Sequence, residues 1–422
     1  MIQTARPSRR SLYGMLTASS VSIAGTRIAT IALPWLVLTE TDSPALAGLV
    51  LTAEMAPYVI AKALGGPLVD RYGPRVVSVA GDVLGGAMFA LIPALYAAGQ
   101  LALPERIPLL LALVALAGAL RGPGDGARNA MIPAVADASG VPLEKITGLD
   151  STFDRASGLL GAGIGGLLVV AFGAAQTVAV TAGASILSAL LVAVFIPRVV
   201  LGDSEESGSY VARLRSGASF LGHDHLLRSV LAMIAVTNLL EAAYIGVMLP
   251  TWALDNGYDA SLVGLVGVLY GGAAVASSLI ATTMAGRFSR RTAYLVGFTL
   301  AGAPRYLALA LGAPLWVIVA SNLVGGLGNG FINPTISAIF FERVPRHIIG
   351  RVGSLADALA WVGLPIGGVV GGLAVTAMGV APALGVAGVA YLVSTVVPGM
   401  RPEWREMDRG PRSGEGVHHA GT

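Results

Sequence analysis

Apolar residues run along this chain in blocks of about twenty or more, separated by short clusters of charge, proline and glycine. The blocks lie near 11–38, 45–68, 76–98, 107–130, 147–172 and 174–196, then near 226–254, 260–285, 292–312, 314–341, 350–376 and 380–398. A bilayer core of roughly 30 Å is crossed by about 20 helical residues, so each block predicts one spanning helix. The pattern is that of an all-α membrane protein with two sets of six spans. It divides the chain into a first bundle at 1–196, a linker at 197–225, a second bundle at 226–398 and a tail at 399–422. Within the linker, DSEESGS (203–209) is a flexible polar patch. Tyr210 to Leu221 then alternates apolar and basic residues, as an amphipathic helix on a membrane surface does. The tail, rich in Arg, Gly and Pro, is expected to be disordered.

Charge placement sets the orientation. Loops 39–46, 99–106 and 255–259 carry Glu40, Asp42, Glu105, Asp255 and Asp259 against one Arg106. The alternate loops carry Arg71 and Arg75, then Arg287, Arg290 and Arg291, then Arg343, Arg346 and Arg351. The linker and tail add further arginines. Basic loops stay on the cytoplasmic side, which predicts a multi-pass protein of the cell inner (plasma) membrane with both termini cytoplasmic. Arg6, Arg9 and Arg10 resemble the start of a signal peptide, but the run from Ser11 to Leu38 is too long for one and reads as the first span.

Composition removes other classes. The chain is 55% hydrophobic and 12% charged, with 56 glycines, against about 25% charged residues in a soluble protein. Its net charge of +3 sits in membrane-flanking loops and calls for no nucleic-acid partner. With no cysteine, disulfides, thiolate catalysis and Cys-based metal sites are excluded. The histidines, at 223, 225, 347, 418 and 419, lie in predicted loops or tail, so they build no metal site within the membrane. Neither Lys62 nor Lys145 follows a glycine, so there is no Walker A loop to drive transport with ATP. Neither an enzyme nor a cofactor is expected.

The halves echo one another. GPLVDRYGPR at 66–75 lies between spans two and three, and AGRFSRR at 285–291 between spans eight and nine. GAGIGG at 161–166 in span five matches GGVVGG at 367–372 in span eleven. Such matches point to a parallel internal duplication about an axis along the membrane normal.

These motifs give the chain its resemblance to the major facilitator superfamily. GPLVDRYGPR resembles that superfamily's G-x-x-x-D-R-x-G-R-R loop, with Pro74 where a basic residue is usual. GAGIGG resembles the antiporter signature G-P-x-x-G-G, with Ala162 in place of proline. ALPWLVLTETDSP (32–44), Asp82 and ERVPRHIIGRVGSL (342–355) resemble the macrolide, tetracycline and siderophore exporters. Arg121 looks like the arginine of the signature tied to proton antiport. The resemblance implies a major facilitator fold of twelve transmembrane helices in two pseudo-symmetric bundles. It further implies a monomer in the lipid bilayer that exports a small amphipathic compound by proton antiport. Similar exporters carry an acid after Ser22 and Gly25, where this chain has Thr26 and then Arg27.

Two groups of residues are candidates for the working parts. In the loop between spans two and three, Gly66 and Gly73 permit tight turning. There Arg71 and Arg75 can pair with Asp70 and with Asp125, with Asp82 added from span three. The functional reading is a cytoplasmic latch between the halves; the alternative is a turn that only signals topology. The second group is the ionisable residues inside spans, which mark ion and substrate pathways. Arg27, Glu54, Arg121 and Glu241 lie nearest mid-membrane, with Asp154 and Arg305 further candidates. Glu54 is the expected proton carrier of the first half and Glu241 its counterpart in the second. The alternative for each is a satisfied buried ion pair. Asn238, Glu241 and Tyr244 share a face of span seven, and Asn322, Asn329 and Asn333 a face of span ten. Their polar groups suit either a substrate or interhelical hydrogen bonds. Two rival functions stay open: a facilitator or importer of an anionic metabolite held by Arg27 and Arg121, and a non-transporting receptor or lipid scramblase.

Overall fold

The computed structural model describes residues 9–196, 218–283, 289–345 and 348–408. Among these, the regular elements are helices. In the first half, helix one is Arg10–Thr41, helix two Pro44–Leu64, helix three Pro74–Ala97, helix four Ile107–Ala130, helix five Leu143–Phe172 and helix six Ala174–Phe195. Helix four continues as Ile132–Ser139. In the second half, helix seven is His225–Ala243, a π turn at Tyr244–Met248, and Leu249–Asp255. Helix eight is Ala260–Thr283 and helix twelve Val380–Gly399. Helices nine, ten and eleven are each split in two: Arg290–Ala301 with Ala303–Ala310, Leu315–Asn329 with Ile332–Arg343, and Ile349–Trp361 with Gly363–Met378.

Among the described residues, eleven helices are long and apolar enough to cross a membrane by themselves. The twelfth span is helix nine, which breaks at Gly302. The breaks follow from sequence. Proline stands at the first turn of the second piece in helices seven and nine, where its missing N–H costs nothing. Helix two starts at Pro44 behind Ser43, whose side chain accepts from the Leu46 N–H.

Two expectations change here. The charged loop after helix two is itself part helix: Gly66–Tyr72 forms a short helix, and Gly73, at φ +81°, makes the turn into helix three. Glycine reaches that conformation without steric cost. Within the expected tail, Pro402–Asp408 forms a 3-10 turn that buries Trp404 and Met407, and 409–422 lie outside the described residues. Trp404 rests against the Tyr294 ring and donates to Ser229 Oγ at 3.0 Å. Most of the expected amphipathic linker helix lies outside the described residues, as does the arginine loop at 284–288.

The duplication is visible in packing. Arg75, at the start of helix three, donates to the Ala193 carbonyl near the end of helix six. Arg291, at the start of helix nine, donates to the Gly399 carbonyl at the end of helix twelve, at 2.7 and 3.1 Å. Both arginines satisfy carbonyls that a helix end leaves unpaired. Gly173 and Gly379 reverse the chain at φ +85° in the turns before helices six and twelve.

The halves meet at the end of the bundle opposite the start of helix one and the end of helix twelve, the terminal end of the described chain. Helix two lies on helix eleven with Gly48 against Gly368, and Gly372 against Pro44 and Ala45. Helix five lies on helix eight with Gly166 against Ala260 and Ser261, and Gly264 against Ala162. A Cβ at Gly48 or Gly166 would overlap a facing backbone carbonyl, so these seams exist because the side chains are absent. Thr52 adds one bond across, to the Pro365 carbonyl at 2.6 Å. Towards the termini Lys62 reaches over the Trp361 ring at 5.9 Å, and Asn333, Asp357 and Trp361 are exposed.

Candidate functional site

The charged residues gather in three places. The first is a network inside the first half near the termini end. Asp82 of helix three is 1% exposed. It accepts from Arg128 at 2.7 Å and from Ser188 of helix six at 2.7 Å. Arg128 also approaches Asp125 at 3.5 Å, and Asp125 accepts from Tyr58 of helix two at 2.9 Å. Four helices are thereby pinned around one buried arginine. The expected loop pairing is not made. Asp70 and Arg71 are exposed and join no ion pair among the described residues; Arg71 stacks on Tyr72 instead. Arg75 serves helix six, while Asp125 has Arg128 one turn away on its own helix. Gly66 opens the short helix and Gly73 makes the turn that ends it. Arg128, the hub, is absent from the expected site, because in sequence it reads as an ordinary arginine near a helix end.

The second cluster lies in the middle of the first half. Arg121 Nη1 stands 3.9 Å from Glu54 Oε1, with both side chains nearly sealed from solvent. Arg121 also donates to Thr26 Oγ1 of helix one and lies over the Phe89 ring at 5.7 Å. Glu54 Oε2 finds no hydrogen-bond partner among the described residues. A 3.9 Å contact is longer than a hydrogen bond, so this carboxyl is held near a cation without being tied to it.

The third cluster is its counterpart in the second half. Arg305 of helix nine, 2% exposed, donates to Glu241 of helix seven and to its own helix's Ala301 carbonyl. Its guanidinium lies 4.3 Å from the Tyr270 ring centre, 4.8 Å from Tyr244 and 5.7 Å from Tyr306. Stacking on three rings suits a planar, weakly hydrated cation. Glu241 keeps a quarter of its side chain accessible, and the π turn begins three residues later at Tyr244. Such turns are frequent at functional sites.

Matching contacts give the register between halves. Gly161 packs on the Ala24 carbonyl and Gly367 on that of Leu239, which sets Thr26 opposite Glu241. Gly118 sits on the Glu54 carbonyl and Gly326 on that of Tyr270, which sets Glu54 opposite Tyr270 and Arg121 opposite Asn329. Gly86 faces Ser185 and Gly302 faces Tyr391, which sets Phe89 opposite Arg305. Glu241 is therefore not the positional partner of Glu54. Each half holds one arginine, one acid and an aromatic ring, on different helices.

The remaining candidates separate. Arg27 is exposed although it lies mid-helix, running beside Gly158 and Gly161 of helix five; it faces open space between the halves. Arg121 does not join it, being turned to Glu54 and Thr26, so the two arginines form no clamp. Asp154 is half-buried with no ion pair among the described residues. Asn238 donates to the Ala360 carbonyl of helix eleven at 2.8 Å, an interhelical bond. Asn322 is fully buried and donates to Ile318 of its own helix. Asn329 is half-buried and Asn333 exposed, on either side of the break in helix ten.

Twelve spans in two pseudo-symmetric six-helix bundles, with buried ion pairs beside a space that Arg27 faces, define a multi-pass membrane protein of the transporter class. Residues 15–236 and 231–414 match the profile of the Major Facilitator Superfamily, and the chain belongs to that family. It is 29% identical over 415 residues to the multidrug efflux pump Tap of Mycobacterium tuberculosis, covering 96% of this chain and 97% of that one. The Tap pump of Mycolicibacterium fortuitum is 28% identical over 405 residues, covering 94% and 96%. Among solved structures, a nucleoside transporter, NupG, superposes with a TM-score of 0.72 at 13% identity, covering 92% of this chain and 98% of that chain. A bacterial homologue of the human lysosomal transporter Spinster, in an inward-facing and unoccupied conformation, gives 0.71 at 13% identity, covering 96% and 98%.

Proposed function

We propose that this protein exports small amphipathic compounds, of the drug, antibiotic or siderophore kind, in exchange for protons by alternating access. The observation that carries this reading is the near full-length similarity to efflux pumps of the Tap type. The seams at one end and the separation at the other support it. With arginine-rich loops on the cytoplasmic side, the separated end is the inner one, and substrate enters there.

The two acids divide the work. Glu54 is buried beside Arg121 with one oxygen unpartnered, and an isolated buried charge is costly. It is the group that gains most from carrying a proton, and Arg121 restrains its ionised form when the proton leaves. Glu241 is already neutralised by Arg305 and is reachable from the open space; it meets substrate, with Arg27 across the gap. Asp70 in this scheme engages the second half only after the inner end closes, which is why it is free of ion pairs among the described residues here.

Proton-linked transport in proteoliposomes tests the scheme. Glu54→Gln should abolish pH-driven export while leaving substrate counterflow measurable, and Glu241→Gln should weaken both. Unchanged coupled transport in both single variants and the double variant would sink the proposal. A second reading, passage of an anionic metabolite, rests on the exposed Arg27 alone. Counterflow that is selective for anions and indifferent to a pH gradient would favour it.

A further inference from the structure

Helices one and six pack closely in the first half. Gly14 lies against the Phe195 ring and Gly25 against Ala184. The register of the halves sets Ser229 opposite Gly14 and Arg401 opposite Phe195. Trp404 comes in from the 3-10 turn to meet Ser229, and a groove of about 450 Å³ remains beside it.

The groove is ordered from polar to apolar along the helix axis. Arg228, Arg401 and Glu403 line it at the bundle end, and Ala232, Met233 and Val236 line it one to two turns deeper. Val236, Val393 and Val397 are exposed, so this flank of helices seven and twelve faces hydrocarbon. The sequence of chemistry matches one phospholipid molecule: phosphate between two guanidiniums, acyl chain along the apolar wall. Arg228 is held towards the mouth by the Gly222 carbonyl at 3.2 Å and by His225 Nδ1 at 3.0 Å. That ring nitrogen accepts, so the histidine adds no charge through it.

One further observation selects the headgroup. Glu403 Oε2 is buried and has no hydrogen-bond partner among the described residues. A buried carboxylate oxygen demands a donor. Phosphate offers none, a choline nitrogen carries no N–H, and a glycerol hydroxyl donates without bringing a positive charge. A primary ammonium carries three donors and a charge of the right sign.

We propose that this groove is a binding site for a phospholipid with a phosphoethanolamine headgroup, its phosphate on Arg228 and Arg401 and its ammonium on Glu403. The lipid fills the place that Phe195 fills in the first half. It is a structural ligand on the lipid-facing side, separate from the space that Arg27 faces.

Native mass spectrometry of the purified full chain, offered equal amounts of phosphatidylethanolamine, phosphatidylcholine and phosphatidylglycerol, tests this. Phosphatidylethanolamine should be retained about tenfold over phosphatidylcholine, the size of one charge-assisted hydrogen bond. Stepwise N-methylation of the headgroup should lower retention in the unaltered protein, which needs no variant to fold. Glu403→Gln should retain phospholipid but lose the preference for the amine. Arg228→Ala with Arg401→Ala should lose both. Equal retention of the ethanolamine and choline lipids would overturn the assignment, as would a preference for phosphatidylglycerol, which marks a merely basic site. Absence of any retained phospholipid would remove the site altogether.

Discussion

The two mid-bundle clusters are built from the same kinds of group in opposite circumstances. In the first half the acid and the arginine are both sealed, and the distance between them is loose. In the second half the arginine is sealed under three tyrosines while its acid stays partly wet and directly bonded. Burial and pairing thus run in opposite directions. The tight pair can reach water, and the pair that cannot reach water is not tight. A carboxyl that switches its charge has to be near a cation without being locked to it. Of the two mid-bundle acids, Glu54 is the one held in that way.

Breaking the arginines separates the two cases most strongly. Arg121→Met leaves Glu54 without its cation in a dry site. Removing one partner of a buried pair costs about 3–5 kcal/mol, so membrane yield should collapse, as read by fluorescence-detected size exclusion. Glu54→Gln in the same background should restore much of the yield, because both charges are then gone. Arg305→Met should cost less, since water can reach Glu241. A yield lower than that of Arg121→Met would reverse the comparison.

A smaller effect is expected at the seam. Gly48→Val places a side chain against the Gly368 carbonyl, and overpacking of this kind costs about 1–3 kcal/mol. The cost falls only on the state in which that seam is closed. Spin-label distances across helices two and eleven should lengthen and transport should fall, with little loss of thermal stability. The smallest effect belongs to the helix-end arginines. Arg75→Ala loses one hydrogen bond to a carbonyl and Arg291→Ala two to the same carbonyl, each worth about 0.5–1 kcal/mol at these partly exposed helix ends once solvent and salt screen it. The melting temperature should drop in both, and more for Arg291→Ala.

Twelve spans, their boundaries to a few residues and the duplication are legible in the sequence, because hydrocarbon admits only long apolar helices with satisfied backbones. The mid-membrane charges are legible for the same reason, since each stands out against an apolar run. Their partners are not. Arg128 and Asp82 belong to different helices, and no periodicity pairs them. Tyr270 looks like an unremarkable aromatic until Arg305 is set over it. In sequence Glu54 and Glu241 read as counterparts because each is the lone acid of an early span in its half, whereas the packing sets Glu54 opposite Tyr270 and Glu241 opposite Thr26. The ordered turn at Trp404 hides within a composition rich in arginine and proline.

Helix nine is broken at Gly302 and carries Arg305 three residues on. A segment with an arginine at its centre pays about 2.5–3.5 kcal/mol to enter a bilayer alone. The acid that neutralises it lies 64 residues earlier, so during synthesis Glu241 leaves the ribosome first. Helix seven then waits in the membrane with an uncovered carboxyl, and helix nine arrives with the matching charge. The order of the chain turns an awkward span into an easy one, and Glu241→Gln should show its first defect in insertion of the nascent protein, visible by glycosylation mapping of the loop after helix nine.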